Sequence, residues 1–399
     1  MAKKTVRALV KPEILIWARE SAGFDLNEVA ASSGLSKVPE WEAGELRPTI
    51  NQLRILARKY RRPLAAFYLQ EKPTGFQVIS DFRRLPGDEM QRMSPQLHLQ
   101  IRAAQERREI ALDLLQEIGD NVPELSISAT LDDDPEAIGT KVRSYLHITD
   151  MEQRAWQDNR EAFNGWRMLI EKVGVLVFQM DTVDSDEASG FALSNTKLPV
   201  IAVNRADARS RRTFSLLHEF AHLLLAKSGV SEFYVDVDRP PEIQNVEVWC
   251  NAVAAAALFP RTMFLQEEVV QDHKKGNPIW TENDIKALAN VFSMSRVSIV
   301  RRLLTLGLTN QRFYKAKEKE YAEEYANFLK RKKGSYEDKE FRRNMPGEAF
   351  SLLGKNFIRM VLTPYHNDRI TLRDVSAYLN LKTKHIPKVE QVLFGKVSQ

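Results

Sequence analysis

Apolar and polar positions change rhythm several times along the chain. From about 8 to 75, apolar residues recur at helical spacing in short runs broken by Gly23, Gly34, Gly44, Pro48 and Pro63, which predicts several short helices. An Arg-rich helix is expected over 101–118, and 120–134, with Pro123 and the acidic Asp132, Asp133 and Asp134, reads as a linker. Beyond about 151 a helix over 160–173 ends near Gly174. Three short, nearly continuous apolar runs follow, at 175–179, 190–193 and 199–204, and read as strands. A helix over 211–227, a loop through Pro240 and Pro241, and a helix over 243–258 stopped by Pro260 come next. Residues 263–312 look helical, 315–333 form a charged helix, and a small helical unit closes the chain. The pattern divides into 1–75, 76–150, 151–262, 263–312 and 313–399, with no internal repeat and no low-complexity tract.

Composition narrows the class. The 399 residues are 43% hydrophobic and 28% charged, which excludes wholesale disorder. The net charge of +5 permits nucleic-acid contact without demanding it. Cys250 is the only cysteine, so an internal disulfide and a Cys-rich zinc finger are both excluded. The longest apolar run, 252–259, is too short to span a bilayer, and 14–18 is too short for the core of a signal peptide. The expectation is a soluble, cytoplasmic, multidomain protein with no membrane partner.

The chemistry concentrates in the helix over 211–227. His218, Glu219, Phe220, Ala221 and His222 spell H-E-x-x-H. In a chain of this composition that motif arises by chance roughly 0.01 times. Phe214, Leu217, Ala221, Leu224 and Leu225 make an apolar stripe at helical spacing, and His218 and His222 project beside it from one side. Two imidazoles one turn apart can grip a Zn2+ ion, while Glu219, one position on, can serve as general base towards a zinc-activated water. A third protein ligand is needed. Leu225 and Ser228 stand where extended metzincins require Gly and His, so that class is excluded. Glu232, Glu242 and Glu247 are the carboxylate candidates. Glu247 is favoured because it shares a helix face with Cys250, Asn251 and Ala254. On that face Cys250 is more often a small core residue than a ligand.

These residues resemble a family. Val200, Ile201, Ala202, Val203 and Asn204, then Arg211, Arg212, Thr213 and Phe214 leading into the motif, look like the ImmA/IrrE zinc metallopeptidases. So do Glu247, Val248, Trp249, Cys250 and Asn251, followed by an Ala-rich run and Leu258, Phe259 and Pro260. The resemblance covers about 155–310. It implies zinc held by His218, His222 and Glu247, the last placed four residues before Asn251 as in the family. Cys250 stands where the family commonly has Ala, and Val253 where an aromatic is usual; neither departure touches the ligand set. The implied activity is cleavage of a partner transcriptional repressor, in stress response or mobile-element control.

The first segment resembles an XRE (Cro/cI-like) helix-turn-helix: Leu26, Asn27, Glu28, Val29 and Ala30, then Gly34, Leu35 and Ser36, then Trp41, Glu42, Ala43 and Gly44, then Arg47, Pro48 and Thr49. Asp25 or Ser36 is expected to cap a helix. Such a domain places its second motif helix in the major groove, which makes Lys37 and Arg47 candidate DNA contacts. Only Lys37, Val38, Pro39 and Glu40 separate the turn from Trp41, fewer than in the family, so the recognition helix is shortened. Glu40 and Glu42 are expected to oppose phosphate. The segment therefore reads either as a DNA binder or as a docking module. Arg102, Arg107 and Arg108 read either as phosphate contacts or as an ion-paired face.

Leu288, Ala289, Phe292, Ser295, Val297, Ile299, Val300 and Leu303 resemble a second helix-turn-helix, expected to recognise substrate or simply to pack. The residues 372–392 suggest one more small helical unit. Together the resemblances imply an α+β, mostly helical fold. It has an N-terminal five-helix helix-turn-helix domain, a central zincin-like domain with a small three-stranded sheet and the HExxH helix, and a helical C-terminal region. The functional expectation is an intracellular zinc endopeptidase acting on an XRE-type repressor. The alternatives are a DNA-binding regulator whose zinc domain is sensory or structural, and a binding partner whose zinc only stabilises the fold. The oxyanion-stabilising residue is unknown from sequence; Tyr234 and His273 are candidates by proximity alone.

Overall fold

The computed structural model describes residues 6–73, 80–81, 93–226, 229–231, 241–333 and 344–395. The chain forms two compact units. Unit one comprises Met1–Val78 and Gly87–Glu106, and unit two comprises Ile79–Pro86 and Arg107–Gln399.

Unit one holds four short helices, α1 (Pro12–Glu20), α2 (Leu26–Ala30), α3 (Val38–Glu42) and α4 (Ile50–Lys59), then a 3-10 helix at Leu64–Tyr68, which makes five. Its core gathers Val29, Leu35, Val38, Trp41, Leu53, Leu56, Tyr60 and Phe67. Asp25 caps α2, accepting from the Asn27 amide, whereas Ser36 caps nothing: Lys37 occupies the N-cap of α3 and makes no side-chain cap. Pro39 falls in the first turn of α3, where its missing amide costs little, so it marks a helix start. Glu42 departs from expectation. Its carboxylate is turned inward onto the Arg19 guanidinium, with Nε and Nη2 both at 2.9 Å, and so does not face a phosphate. The helix α5 (Pro95–Glu117) begins in this unit and continues into unit two.

Unit two is built on one mixed sheet of β1 (Ser80–Asp81), β2 (Leu176–Met180), β3 (Gly190–Leu193), β4 (Val200–Asn204) and β5 (Gly229–Ser231), in the order β1-β5-β3-β4-β2. The body of the sheet is the three strands read from the sequence. β2 and β4 run parallel with Leu176 opposite Val200, and β3 runs antiparallel to β4 with Gly190 opposite Val203. The two short strands extend the β3 edge. Every residue of β2, β3 and β4 is buried, which explains why the runs are continuous rather than alternating: both faces are covered.

The helices of unit two are α6 (Pro135–Tyr145), α7 (Asp150–Ala155), α8 (Asn159–Lys172), α9 (Arg209–Leu224), α10 (Pro241–Leu258), α11 (Arg261–Leu265), α12 (Glu268–Gln271), α13 (Glu282–Val291), α14 (Arg296–Thr305), α15 (Gln311–Lys333), α16 (Met345–His366), α17 (Leu372–Tyr378) and α18 (Ile386–Phe394). On one face of the sheet Val177, Ala192, Ile201 and Val203 join a core with α8, α9 and α10. The other face meets α16, where Phe178 lies edge-on to Phe357 at 5.5 Å. The later part of α5 also contributes there. The Arg107 guanidinium sits 5.3 Å from the Phe178 ring centre, and Arg108 donates to the carbonyls of Leu198 (3.1 Å) and Lys197 (2.8 Å). In unit one Arg102 donates to the Tyr60 carbonyl at 3.1 Å. All three arginines are thus committed to the fold. The stretch 120–134 packs closely: Ala129 donates to the Leu224 carbonyl, and Ile127 joins the core. Among the described residues no helix is long and apolar enough to cross a membrane.

The end of α10 is locked by a buried arginine. Arg302 of α14 is 1% exposed, donates twice to the Phe259 carbonyl and forks onto Glu136 of α6. Arg302→Met removes the fork and leaves the Phe259 carbonyl without its donor. Because Glu136 keeps a third of its side chain in water, the expected loss is about 2–3 kcal/mol rather than the larger cost of a fully buried broken pair. A fall in the thermal midpoint checks this, and an unchanged midpoint would show the fork to be dispensable.

Candidate metal centre

The helix α9 is buried on nearly every side, because it lies between the sheet and α10. One flank carries Leu216, Phe220, Leu223 and Leu224 into the core. His218, Glu219 and His222 are 5%, 0% and 1% exposed. Polar groups so deeply buried require partners, and α10 supplies them for the two imidazoles.

Glu247, 1% exposed, projects from α10 at the two imidazoles. Its Oε2 lies 3.4 Å from His218 Nε2 and its Oε1 lies 3.1 Å from His222 Nε2, while the two Nε2 atoms are 3.1 Å apart. One turn further along α10, Asn251 Oδ1 stands 3.0 Å from His218 Nδ1. An amide oxygen only accepts, so His218 carries its proton on Nδ1 and presents the Nε2 lone pair to the other donors. Among the described residues these three side chains form the one cluster with metal-ligand geometry. Donors about 2 Å from a tetrahedral zinc stand about 3.3 Å from one another. The three separations here bracket that value, so two imidazole nitrogens and a carboxylate fit such an ion.

The electrostatics agree. Burial alone would push the Glu247 carboxyl up, but the facing imidazoles outweigh it and hold Glu247 well below the usual carboxylate range. Burial likewise opposes charging His218, yet Glu247 beside it raises the imidazole overall. His222 goes the other way: its burial dominates and lowers it. The centre is an anionic carboxylate in a low-dielectric seam, a setting that favours a cation.

Glu219 packs against β3. A β-carbon on Gly190 would stand 2.8 Å from Glu219 Oε1 and 3.0 Å from the Ala202 carbonyl, so only glycine leaves room for that carboxylate. Sequence reasoning read Gly190 simply as a strand residue; its signal was a glycine inside an apolar run. Asn204, which closes the run that carries the family resemblance, stands at the end of β4. It is fully buried, its amide donates to the Ala188 carbonyl at 2.8 Å, and its oxygen accepts from the Ala206 amide at 2.9 Å, which fixes the turn leading into α9.

The remaining candidates fall elsewhere. Cys250 is a buried core thiol, pushed well above its ordinary pKa by burial and the nearby carboxylates, which matches the core reading. His273 stacks on Trp280 at 3.7 Å and bonds the Asn277 carbonyl through Nε2. Glu232 and Tyr234 lie outside the described residues, as does the side chain of Glu242. Lys37 and Arg47 are exposed on unit one.

Residues 170–304 match the family described as an IrrE N-terminal-like domain, Peptidase M78, a span that takes in β2 to β5, α9, α10 and most of α14. No curated protein matches the chain. A solved structure titled as a Mycobacterium tuberculosis transcriptional regulator is 18% identical over 45% of this chain and 53% of that one, with a TM-score of 0.26. The chain thus spans about half of that protein, and a likeness at this level carries no argument.

Proposed function

We propose that this protein is a zinc endopeptidase acting in the cytoplasm on a partner protein, and that the partner is a repressor of XRE type. The observation that carries the reading is the convergence of His218 and His222 from α9 with Glu247 from α10, Glu219 lying one residue from the first imidazole. The match to a peptidase family domain supports the reaction class. The substrate class rests on the family resemblance of the sequence.

In this reading His218, His222 and Glu247 hold the ion, and Asn251 keeps the first imidazole in its ligating tautomer. A bound zinc ion brings water towards neutral pKa and polarises a peptide carbonyl. Glu219 accepts the proton of the attacking water and returns it to the leaving amine, the role of a general acid–base pair played by one carboxylate. Gly190 allows that carboxylate its position, and the dry seam between sheet and α10 strengthens each charge interaction. A structural zinc has no use for Glu219.

The second reading is a DNA-binding regulator whose zinc domain is sensory or structural. The exposure of Lys37 and Arg47 on the five-helix unit favours it. In that case operator binding survives Glu219→Gln and is lost in Lys37→Glu with Arg47→Glu.

Glu219→Gln is expected to retain about one zinc per chain while cleavage of neighbouring-gene repressors falls about 10²–10⁴-fold. His222→Ala and Glu247→Ala are expected to lose the metal. For wild type alone, zinc at a hundredfold excess over its Kd adds about 2.7 kcal/mol of stability, read as a rise in Tm. Wild type that takes up no zinc would overturn the ligand set; a Glu219→Gln variant that still cleaves would overturn the base. Gly190→Ala is expected to keep the metal and lose at least about tenfold in cleavage, because the methyl displaces Glu219. Full activity there would show that Glu219 has slack.

A further inference from the structure

Three helix pairs in this chain have the order of a helix-turn-helix, and their basic residues meet different fates. In unit one α3 is only five residues long and starts at Val38 with Pro39 next. In the second pair, α13 and α14, the second helix is turned inward. Arg296 is held by Glu282 and Glu324, each at 2.5 Å, Arg301 meets the Tyr314 hydroxyl at 3.2 Å, and Arg302 is buried on Phe259 and Glu136. Two of the three arginines of this helix are thus paired with carboxylates of the chain itself.

The third pair, α17 and α18, is different. Both helices pack on α16, which is broken at Gly354. Four residues, 379–382, separate α17 from a 3-10 turn at Thr383–His385 that runs into α18, the short connection expected of this motif. Asn380 takes the left-handed conformation at φ 50°, and buried Leu381 follows it. The turn is closed by Leu381 donating to the Ser376 carbonyl at 3.0 Å and by the Ser376 hydroxyl donating back to the Leu381 carbonyl at 2.6 Å. Val375, Leu379, Ile386 and Val389 are buried, and His366 of α16 bonds Glu390 of α18 at 2.9 Å.

The outer side of the 3-10 turn and of the start of α18 is basic. Lys384 lies in that turn, Lys388 and Gln391 lie in α18 away from the buried Ile386 and Val389, and all three are exposed. Lys382 lies just before them, also exposed, and among the described residues none of these lysines makes an ion pair. Of the acids nearby, Glu390 bonds His366 and Asp374 caps α17 through Thr371 at 2.8 Å, while Asp368, ahead of α17, is exposed. Exposed Arg369 and Arg373 add to the positive side.

We propose that α16, α17 and α18 form a helix-turn-helix that binds duplex DNA, with α18 entering the major groove and Lys384 of the preceding turn, Lys388 and Gln391 as contact residues. Exposed lysines before and at the start of the second helix of such a pair neutralise phosphate, and a polar side chain one turn further along it reaches base edges. The inference goes beyond the peptidase reading and does not depend on it.

The test uses the full chain and a pool of random-sequence DNA duplexes at low salt, followed by gel retardation. Wild type is expected to bind, and Lys384→Glu with Lys388→Glu to lose at least about tenfold in affinity, with the slope of log affinity against log salt smaller by about two. Both positions are solvent-exposed, so Tm and zinc content should stay at wild-type values and report an intact fold. Lys37→Glu with Arg47→Glu is the control for unit one. Loss of binding in the α18 variant, whatever the control does, supports the proposal. A wild type that fails to bind duplex DNA overturns it, as does an α18 variant that binds like wild type.

Discussion

Burying a carboxylate sets the terms for the rest of this structure. Moving such a group out of water costs several kcal/mol even after the surroundings relax, so Glu247 persists at 1% exposure only where complementary groups converge on it. That fixes the register of α10 against α9. A slip of one residue would swing position 247 by about 100° and leave the charge in hydrocarbon. The contacts around α10 hold this register. Gly139 of α6 lets Ala256 approach so closely that a β-carbon there would stand 2.5 Å from the alanine methyl. The Trp249 indole donates to the Asp133 carbonyl at 2.9 Å, and Arg302 grips the Phe259 carbonyl just past the helix end. The ligand set and the packing are one constraint described twice.

The elements that make this centre were legible where the signal is local. Continuous apolar runs marked β2, β3 and β4 because both sheet faces are covered. The i, i+4 spacing put His218 and His222 together, and face arithmetic along 243–258 placed Glu247 with Asn251. What escaped was non-local. Gly190 matters only because α9 crosses β3 at Glu219, and no periodicity within either element encodes that crossing. β1 and β5 are two and three residues long, too short for any pattern. The helix over 211–227 proved to be Arg209–Leu224, since Asn204 fixes the turn before it and so sets its start. Glu42 looked like a charge facing phosphate until Arg19, 23 positions earlier, was seen to hold it.

Part of the positive charge of the chain is used within the fold. Arg102, Arg108, Arg143, Arg167 and Arg302 each donate to backbone carbonyls, on Tyr60, Leu198, Ala257, Ser351 and Phe259 respectively. A planar guanidinium with several donors is weakly hydrated and suits that task. These arginines act as internal fasteners that link segments far apart in sequence.

The net charge of +5 therefore says little about where a polyanion would bind, because some of the cations are spent within the fold. Location follows from which cations remain available. In α14 Arg296 and Arg302 face Glu282, Glu324 and Glu136. In the third pair the buried positions are apolar, and Lys382, Lys384 and Lys388 stand exposed before and at the start of α18, while Glu390 bonds His366 and Asp374 bonds Thr371. Whether the charges of such a motif are satisfied within the chain depends on tertiary partners and is invisible to the motif itself.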